Sequence, residues 1–194
     1  MRLRRQRSHL VIIDVQENLA PHVANAARVV AHCRRLITYA RRLDIPVTLT
    51  EHYPKGLGVT VAPVREAAGP QAIRLAKIEF SCVLNAELRE RFHSLRGNQG
   101  RDQLVVAGME AHVCVGQTVL DLLDDGFRVS VVGDGVGSRS PEDRAIALAR
   151  MAKSGADIVS QEMVAFEWLE RAGTPEFRDL IPLIKAASEE RDES

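Results

Sequence analysis

A cysteine stands where the sequence pattern changes from strand to helix. Leu104 to Ala107 form an apolar run of buried-strand length, and the apolar residues from Val115 to Leu123 then recur at the spacing of one helix face. Cys114 falls between the two patterns, where free backbone N–H groups and the helix dipole both favour an anion. A thiol in that position is expected to have a lowered pKa and to act as a nucleophile, while a buried structural cysteine is the plainer interpretation.

Two further reactive side chains, Asp14 and Lys77, come at the ends of predicted strands. Asp14 closes an apolar run that begins at His9, and Lys77 closes one that begins at Ala72. Because ligands of a parallel sheet collect at the C-terminal ends of its strands, we expect both residues to lie near Cys114. There the carboxylate could take the thiol proton and return it to a leaving group, and the ammonium could hold the charge of the thiolate. Each residue alone has a simpler interpretation, Asp14 as a turn or cap residue and Lys77 as a solvated charge.

The elements that would hold these residues alternate between strands and helices. Such alternation predicts an α/β fold in which helices cover both faces of a parallel sheet. Asn85 and Ser140 are predicted N-caps, and loops are expected at 51–58, 96–100 and 133–140. Strands are predicted at 9–15, 47–50, 72–77, 104–107, 128–132 and 157–160, a short helical piece within 59–70, and helices at 21–43, after each N-cap, after Cys114, and at 161–172 and 175–187.

Composition places the chain among globular proteins of ordinary size. It has 194 residues, of which 45% are hydrophobic, and we predict one domain over 1–194 with a solvated basic arm at 1–7 and a charged tail at 188–194. Basic and acidic residues number 26 each, a balance that argues against nucleic acid or an acidic membrane as a partner. No apolar run approaches the roughly 18 residues of a membrane span, and no secretory signal precedes the first strand.

The three cysteines, Cys33, Cys82 and Cys114, are too few and too widely spaced for a disulfide framework or a zinc site. Their number fits a reducing compartment, so we predict a cytoplasmic location. Cys33 lies on the apolar face of the first predicted helix and is interpreted as core. Cys82 could lie near the reactive residues, but core packing is the preferred interpretation.

Motifs around all three reactive residues occur together in one known family. Val11–Gln16 contains Asp14, Lys77–Cys82 begins at the lysine, and Val105–Cys114 has the pattern Gly-x-Glu-Ala-His-x-Cys ahead of the thiol. With these segments the chain resembles the isochorismatase-like cysteine hydrolases over about residues 8 to 187. Asp134–Glu142 also matches the family, and two further segments resemble its isochorismatase domain-containing branch, Thr50–Gly58 and Ala172–Phe177.

The resemblance implies a three-layer α/β/α sandwich with a six-stranded, mainly parallel sheet, and it assigns Asp14, Lys77 and Cys114 to a catalytic triad. It also implies hydrolysis of a small C–N bond or a vinyl ether, homo-oligomers, and a cis peptide bond between Met109 and Glu110. The amides of Glu110 and Cys114 would then form the oxyanion hole.

A metal is not expected. Nicotinamidases of this fold hold a metal through an Asp-x-His pair, whereas the corresponding loop here reads Glu51-His52-Tyr53. We therefore predict no metal and no other cofactor, and we do not expect a nicotinamidase.

Six side chains are candidates for the substrate pocket. His112 could reach the pocket from the turn before the thiol, and a surface histidine at a helix start is an equal alternative. Phe80 and Tyr53 could form apolar walls, although Phe80 could equally belong to the core. The remaining candidates are Gln16, Glu51 and His52.

The predicted function is hydrolysis of a small, planar metabolite through a thioester-type intermediate on Cys114. The alternative is a catalytically idle, oligomeric protein of the same fold that binds a metabolite. A thiol redox sensor is a third hypothesis, which would need Cys82 close to Cys114. Apolar residues near the C-terminus could exceed what one sheet face covers and so favour a homo-oligomer, a dimer or a tetramer: Phe166, Trp168, Leu169, Phe177, Leu180 and Ile181.

Overall fold

The computed structural model describes residues 1–70 and 72–192, with side chains as far as residue 187, and within this part six parallel strands form one sheet. Every pairing between neighbouring strands is parallel. The spatial order is β3-β2-β1-β4-β5-β6, so the order reverses between β1 and β4, where ligands of such sheets bind. The strands are β1 Ser8–Ile13, β2 Val47–His52, β3 Ile73–Lys77, β4 Gln103–Met109, β5 Arg128–Gly137 and β6 Asp157–Val159.

Helices cover both faces of the sheet, which confirms the predicted three-layer sandwich. Along β1, Leu10 and Ile12 pack on one face and Val11 and Ile13 on the other, so every residue of the strand is buried. Among the described residues, no helix is long and apolar enough to cross a membrane. The first face carries α1 Ala26–Arg42, α3 Ala62–Ala68, α7 Gln161–Leu169 and α8 Pro175–Asp192, the second carries α4 Ala86–Gln99, α5 Gly116–Asp124 and α6 Pro141–Lys153, and α2 Pro54–Leu57 is a single turn after β2.

Three strands run further than the sequence pattern indicated, and the first of these, β2, continues past Thr50 to His52 into the predicted loop at 51–58. β4 does not stop at Gly108 but continues through it. A Cβ atom at Gly108 would lie 2.1 Å from the carbonyl oxygen of Ile13, so glycine is what lets β4 pass this close to β1. β5 continues to Gly137 after a shift in its register against β4, and most of the predicted loop at 133–140 is therefore strand.

The two long helices of the first face differ from their predicted bounds. α1 begins at Ala26 and not at 21, because Asn25 takes a left-handed conformation with φ of 57°. α8 continues as helical backbone through Asp192, into the predicted charged tail at 188–194. The last two residues of that tail lie outside the described part of the chain.

The predicted N-caps of two helices are present. Asn85 accepts a hydrogen bond from the N–H of Leu88 at 3.2 Å at the start of α4, and Ser140 accepts one from Asp143 at 3.1 Å at the start of α6. α4 runs on through most of the predicted loop at 96–100.

The N-terminal arm packs against the protein, contrary to the solvated arm that we expected. Leu3 is fully buried, and its N–H donates to the carboxylate of Glu167 at 2.6 Å. Arg7 donates two hydrogen bonds to the carboxylate of Asp102. Carboxylates on neighbouring elements therefore neutralise the basic run and keep it on the protein surface.

Candidate active site

Asp14 is held at the C-terminal edge of the sheet by its neighbours in β2 and β3. It turns the chain out of β1 with a left-handed backbone, φ of 52°, and its N–H donates to the carbonyl of Thr50 at 3.2 Å. The side chain is fully buried. Oδ1 accepts a hydrogen bond from the Thr50 hydroxyl at 2.6 Å, and Oδ2 accepts one from Lys77 Nζ at 2.7 Å. Both oxygens are fixed by these contacts, so Asp14 is not a solvent-exposed turn residue.

Lys77 is the buried cationic partner of Asp14. β2 lies between β3 and β1, so the long side chain at the end of β3 crosses β2 to reach the carboxylate. Lys77 Nζ also donates to the carbonyl oxygens of Glu79 at 3.2 Å and Phe80 at 3.1 Å. Burial acts to lower the pKa of Lys77, but the Asp14 carboxylate and two nearby thiols outweigh burial and the pKa is raised. Lys77 is therefore a buried, paired charge.

Cys114 lies in the π-helical turn Ala111–Val115 that leads from β4 into α5. The residue is almost fully buried, and the carboxylate of Asp14 lies close enough to affect the pKa of its thiol. Burial and the Asp14 carboxylate raise the pKa of Cys114, while Lys77 acts in the opposite direction. The expected lowering of this pKa is therefore wrong, because the helix-start argument left out burial and the carboxylate beside the thiol.

These contacts define how a nucleophile could arise. The raised pKa keeps the thiol protonated at rest, and the carboxylate that contributes to this shift is paired with Lys77. Such a thiol loses its proton to the adjacent base as it attacks, as in Ser–His and Cys–His pairs. The arrangement thus favours attack assisted by a base over a thiolate formed in advance.

The turn ahead of Cys114 has the backbone geometry that the resemblance implied. The peptide bond between Met109 and Glu110 is cis. The carbonyl of Glu110 accepts hydrogen bonds from the N–H groups of Val113 and Val115, both at 3.1 Å. Because these two residues flank Cys114, the position of Glu110 is linked to that of the thiol.

Gln16 and Glu51 brace the loop that follows β2. The buried Gln16 amide donates to the carbonyls of His52 and Gly58 at 3.0 and 2.6 Å and accepts from the N–H of His52 at 2.7 Å. One oxygen of Glu51 accepts from the N–H and the hydroxyl of Thr60 at 2.8 and 2.7 Å. These atoms are engaged within the protein, and a substrate contact by either residue stays a prediction.

His52, Phe80 and Tyr53 form the exposed side of this region. The rings of His52 and Phe80 are 5.1 Å apart between centroids. Phe80 and Tyr53 are each about half exposed, so the core alternative for Phe80 is wrong. Burial first, and the charge of Lys77 second, lower the pKa of His52. Within the described residues, the buried Nδ1 atom of His52 has no hydrogen-bond partner.

His112 joins the turn of the nucleophile to the segment after β5. Its Nδ1 atom lies 3.0 Å from the hydroxyl of Ser138, and its Nε2 atom lies 3.9 Å from a carboxylate oxygen of Asp143. It is therefore not a free surface histidine.

Two contributors were missed or undervalued in the sequence. Thr50 was not singled out, although a hydroxyl residue near the end of β2 is a natural partner for an acid at the end of β1. Cys82 is fully buried, and its N–H donates to the hydroxyl of Thr118 at 2.9 Å. Burial, and secondly the charge of Asp14, raise the pKa of Cys82 to about 12. Cys82 is thus a core residue that also lies near Asp14. Both interpretations from the sequence, core packing and a position near the reactive residues, therefore apply to it.

The side chains described, those of residues 1–70 and 72–187, include no cluster of three or more His, Cys, Asp or Glu that could hold a metal ion.

Comparison with known proteins decides the family. A family model described as the Isochorismatase domain matches residues 8–163. The chain belongs to this family. Isochorismatase domain-containing protein 2A of Mus musculus is 39% identical over 184 residues, which cover 92% of this chain and 82% of that protein. This likeness confirms the predicted branch of the family.

Solved structures agree with the observed fold. The structure of MAR1 ribonuclease from Caenorhabditis elegans matches with a TM-score of 0.87 at 34% identity, over 95% of this chain and 92% of that one. The YcaC gene product of Escherichia coli, described as an octameric hydrolase of unknown specificity, matches with a TM-score of 0.84 at 24% identity, over 100% and 97% of the two chains. The family and this fold support a hydrolase.

Proposed function

We propose that the protein is a cysteine hydrolase in which Cys114 is the nucleophile, Asp14 the general base and acid, and Lys77 the charge partner of Asp14. The observation that carries the proposal is the buried Lys77–Asp14 ion pair at the point where the strand order reverses, with the nearly fully buried Cys114 at the end of the adjacent strand β4. Family membership supports the hydrolase class.

The first half-reaction follows from these contacts. Asp14 accepts the thiol proton while the sulfur of Cys114 attacks the carbonyl carbon of an amide, which forms the C–S bond and moves an electron pair onto the oxygen. We assign the N–H groups of Glu110 and Cys114 to that oxyanion. When the electron pair returns, the C–N bond breaks and Asp14 gives its proton to the leaving nitrogen. Lys77 stays protonated throughout.

The second half-reaction uses the same groups. A water molecule loses a proton to Asp14 as its oxygen attacks the thioester carbon. The C–S bond then breaks, the proton on Asp14 returns to the sulfur, and a carboxylic acid leaves. Each cycle therefore restores the protonated thiol.

The substrate that fits this site is small and planar. The three reacting side chains are buried, the rings of His52 and Phe80 lie together beside a carbonyl oxygen that holds Lys77, and the half-exposed Tyr53 follows His52 in the chain. We propose that these rings form a wall against which a planar group stacks. Ribonuclease is the description of the Caenorhabditis elegans protein, and the balanced charge of this chain favours a small metabolite over RNA.

The test is a panel of small amides and ureas, followed by mass spectrometry for an acyl adduct on Cys114. We expect Cys114→Ala to abolish turnover and adduct formation while substrate binding is kept. Cys33→Ala is the matched control, because Cys33 is a buried residue of α1 whose thiol donates to the carbonyl of Gly135 in β5, and it packs in the core of the other sheet face from Cys114. Turnover by Cys114→Ala within tenfold of the wild type would rule out the mechanism.

The same experiment separates the alternative, a catalytically idle protein that binds a metabolite. Such a protein would show ligand-induced stabilisation with panel compounds but no adduct and no product. An acyl adduct that forms in the wild type and is lost in Asp14→Asn would exclude the catalytically idle protein.

We also propose a homo-oligomer. Of the apolar residues near the C-terminus that were expected to favour assembly, Trp168 and Leu180 belong to the core, whereas Phe166 is 44% exposed. Ile78 and Leu84, which follow β3, are 75% and 68% exposed. These side chains and the octameric description of the Escherichia coli neighbour support assembly. Light scattering should report a particle heavier than the 21.4 kDa chain, and a monomer at micromolar concentration would contradict it. The cytoplasmic location stays a prediction.

A further inference from the structure

A second buried carboxylate lies next to the candidate active site, on the turn that carries the nucleophile. The side chain of Glu110 is 4% exposed, whereas that of its partner Arg139 is 65% exposed. Glu110 Oε1 accepts from the backbone N–H of Arg139 at 2.9 Å and from its Nε at 3.1 Å, and Oε2 accepts from its Nη2 at 2.7 Å. We call these three hydrogen bonds the Glu110–Arg139 bridge.

The bridge fixes backbone as well as side chains. Two of its bonds form the bidentate fork of an arginine and a carboxylate, and the third ties the main chain of the segment after β5. One residue earlier, the Ser138 hydroxyl lies 3.0 Å from His112 Nδ1, and the Ser138 carbonyl accepts from the N–H of Ala24 at 3.0 Å. The segment after β5 is thus held to the turn by two adjacent links.

The charge of Arg139 favours the ionised form of Glu110. Burial acts to raise the pKa of Glu110, but the hydrogen bonds from Arg139 outweigh burial and the pKa is lowered. Glu110 is therefore an ionised group inside the protein, and Arg139 is its cationic partner. Loss of the arginine would leave a buried carboxylate that must move towards water or towards another donor.

A displacement of Glu110 would also displace Cys114. Its carbonyl accepts from the N–H groups of Val113 and Val115, on either side of Cys114. Its own amide is one of the two donors that we assign to the oxyanion. Misplacement of reacting groups by about 1 Å can cost on the order of 100-fold in rate.

We propose that the Glu110–Arg139 bridge positions Cys114 and the oxyanion donors for attack, so that Glu110 and Arg139 act as positioning residues. This inference rests on the proposed hydrolase function. The bridge joins two segments that belong to separate sequence motifs, the Gly-x-Glu-Ala-His-x-Cys turn and the Ser-Arg-Ser segment after β5.

The experiment uses the full chain and p-nitrophenyl acetate, an activated ester that acetylates cysteine nucleophiles without a natural substrate. Arg139→Ala should lower kcat on the order of 100-fold while KM changes by less than about twofold. Arg139→Lys should recover part of the loss, because lysine restores the charge but not the fork. Glu110→Gln should lower kcat in the same way. The double variant, Glu110→Gln with Arg139→Ala, should have a kcat no lower than that of the slower single variant.

A matched control is another arginine bridge. Arg89 donates from Nε and Nη2 to the carboxylate of Asp125, both at 3.1 Å, between α4 and the end of α5. Arg89→Ala loses the same kind of fork far from the thiol, so its kcat should stay within about twofold of the wild type.

Three results would overturn the inference. A raised KM with unchanged kcat in Arg139→Ala would mean that Arg139 contacts the ester and does not position the turn. Additive losses in the double variant would mean that the two residues do not act as a unit. A normal kcat in all three single variants would show that the bridge has no effect on attack. The proposed function fails separately, if the wild-type Cys114 is not acetylated at all.

Discussion

The two halves of the site each contain a buried carboxylate with a cation, and the two pairs are built differently. On the β1–β3 side, both Asp14 and Lys77 are fully buried and are joined at 2.7 Å. On the β4–β5 side, Glu110 is buried but Arg139 lies mostly in solvent. The first pair is closed to water, and both of its charges act on the pKa of the Cys114 thiol. The second holds backbone around the thiol and can exchange its outer partner with solvent, so we expect chemistry from one and positioning from the other.

The largest effect should come from removing the acid–base group of the closed pair. Asp14→Asn keeps the shape and can still accept from Thr50, but it cannot take the thiol proton. Loss of a general acid–base typically costs on the order of 100- to 10,000-fold, and kcat with the best panel substrate should fall in that range. If Asp14→Asn turned over substrate like the wild type, the Asp14–Lys77 pair would supply no acid–base chemistry. The contrast with the Glu110–Arg139 pair would then be wrong.

The second effect is on stability and compares the two cations directly. Lys77→Met leaves a buried, unpaired carboxylate and should lower the free energy of unfolding by about 3–5 kcal/mol. Arg139→Met should lower it by only about 1–3 kcal/mol, because Arg139 lies mostly in solvent and water can take the place of its guanidinium beside Glu110. Urea titrations measure both, and the exposed Lys153→Met is the control. Equal losses in the free energy of unfolding for Lys77→Met and Arg139→Met would show that the difference in burial between the two pairs does not affect stability.

The third effect concerns the pH at which Cys114 reacts. Because burial and Asp14 raise its pKa above the ordinary 9.0, less thiolate is present at any given pH, and alkylation by iodoacetamide should still be rising above pH 9.0. Asp14→Asn removes the negative charge that helps to raise this pKa, so the alkylation rate of that variant should level off at a lower pH than that of the wild type. Peptide mapping assigns the label to Cys114 against the buried Cys33 and Cys82. A rate that levels off below pH 7 would instead indicate a thiolate formed in advance.

The smallest effect should come from chelators. The residues described provide no cluster for a metal ion, and Glu51 already accepts two hydrogen bonds from Thr60. Dialysis against EDTA should leave activity unchanged. A stoichiometric transition metal in the purified protein, lost together with activity, would show that the loop after β2 had been misinterpreted.

Much of this site could be predicted because strand ends are local features of the sequence. Asp14, Lys77 and Cys114 each follow an apolar run, and parallel topology brings such ends to one edge. The pKa of Cys114 could not be predicted in the same way. Its direction depends on burial and on a carboxylate from a strand that is distant in sequence, and neither is visible in residues 103–126.

Loop residues were harder to place, for a similar reason. Gln16 and Glu51 were predicted pocket residues, and the structure shows their polar atoms engaged in bracing the loop after β2. Phe80, by contrast, is exposed beside His52. A side chain that is polar or aromatic in sequence can face either way, and only the path of the loop decides which.

The sequence by itself determined the alternation of strands and helices, the helix caps at Asn85 and Ser140, and the three reactive residues, because periodicity and capping depend on near neighbours. The tertiary structure alone decided that Thr50 holds Asp14, that Cys82 lies beneath the site, and that Glu110 is paired with Arg139. The Thr50–Asp14 and Glu110–Arg139 contacts join residues 36 and 29 positions apart, and their energies come from burial and charge, which exist only once the sheet has brought the segments together.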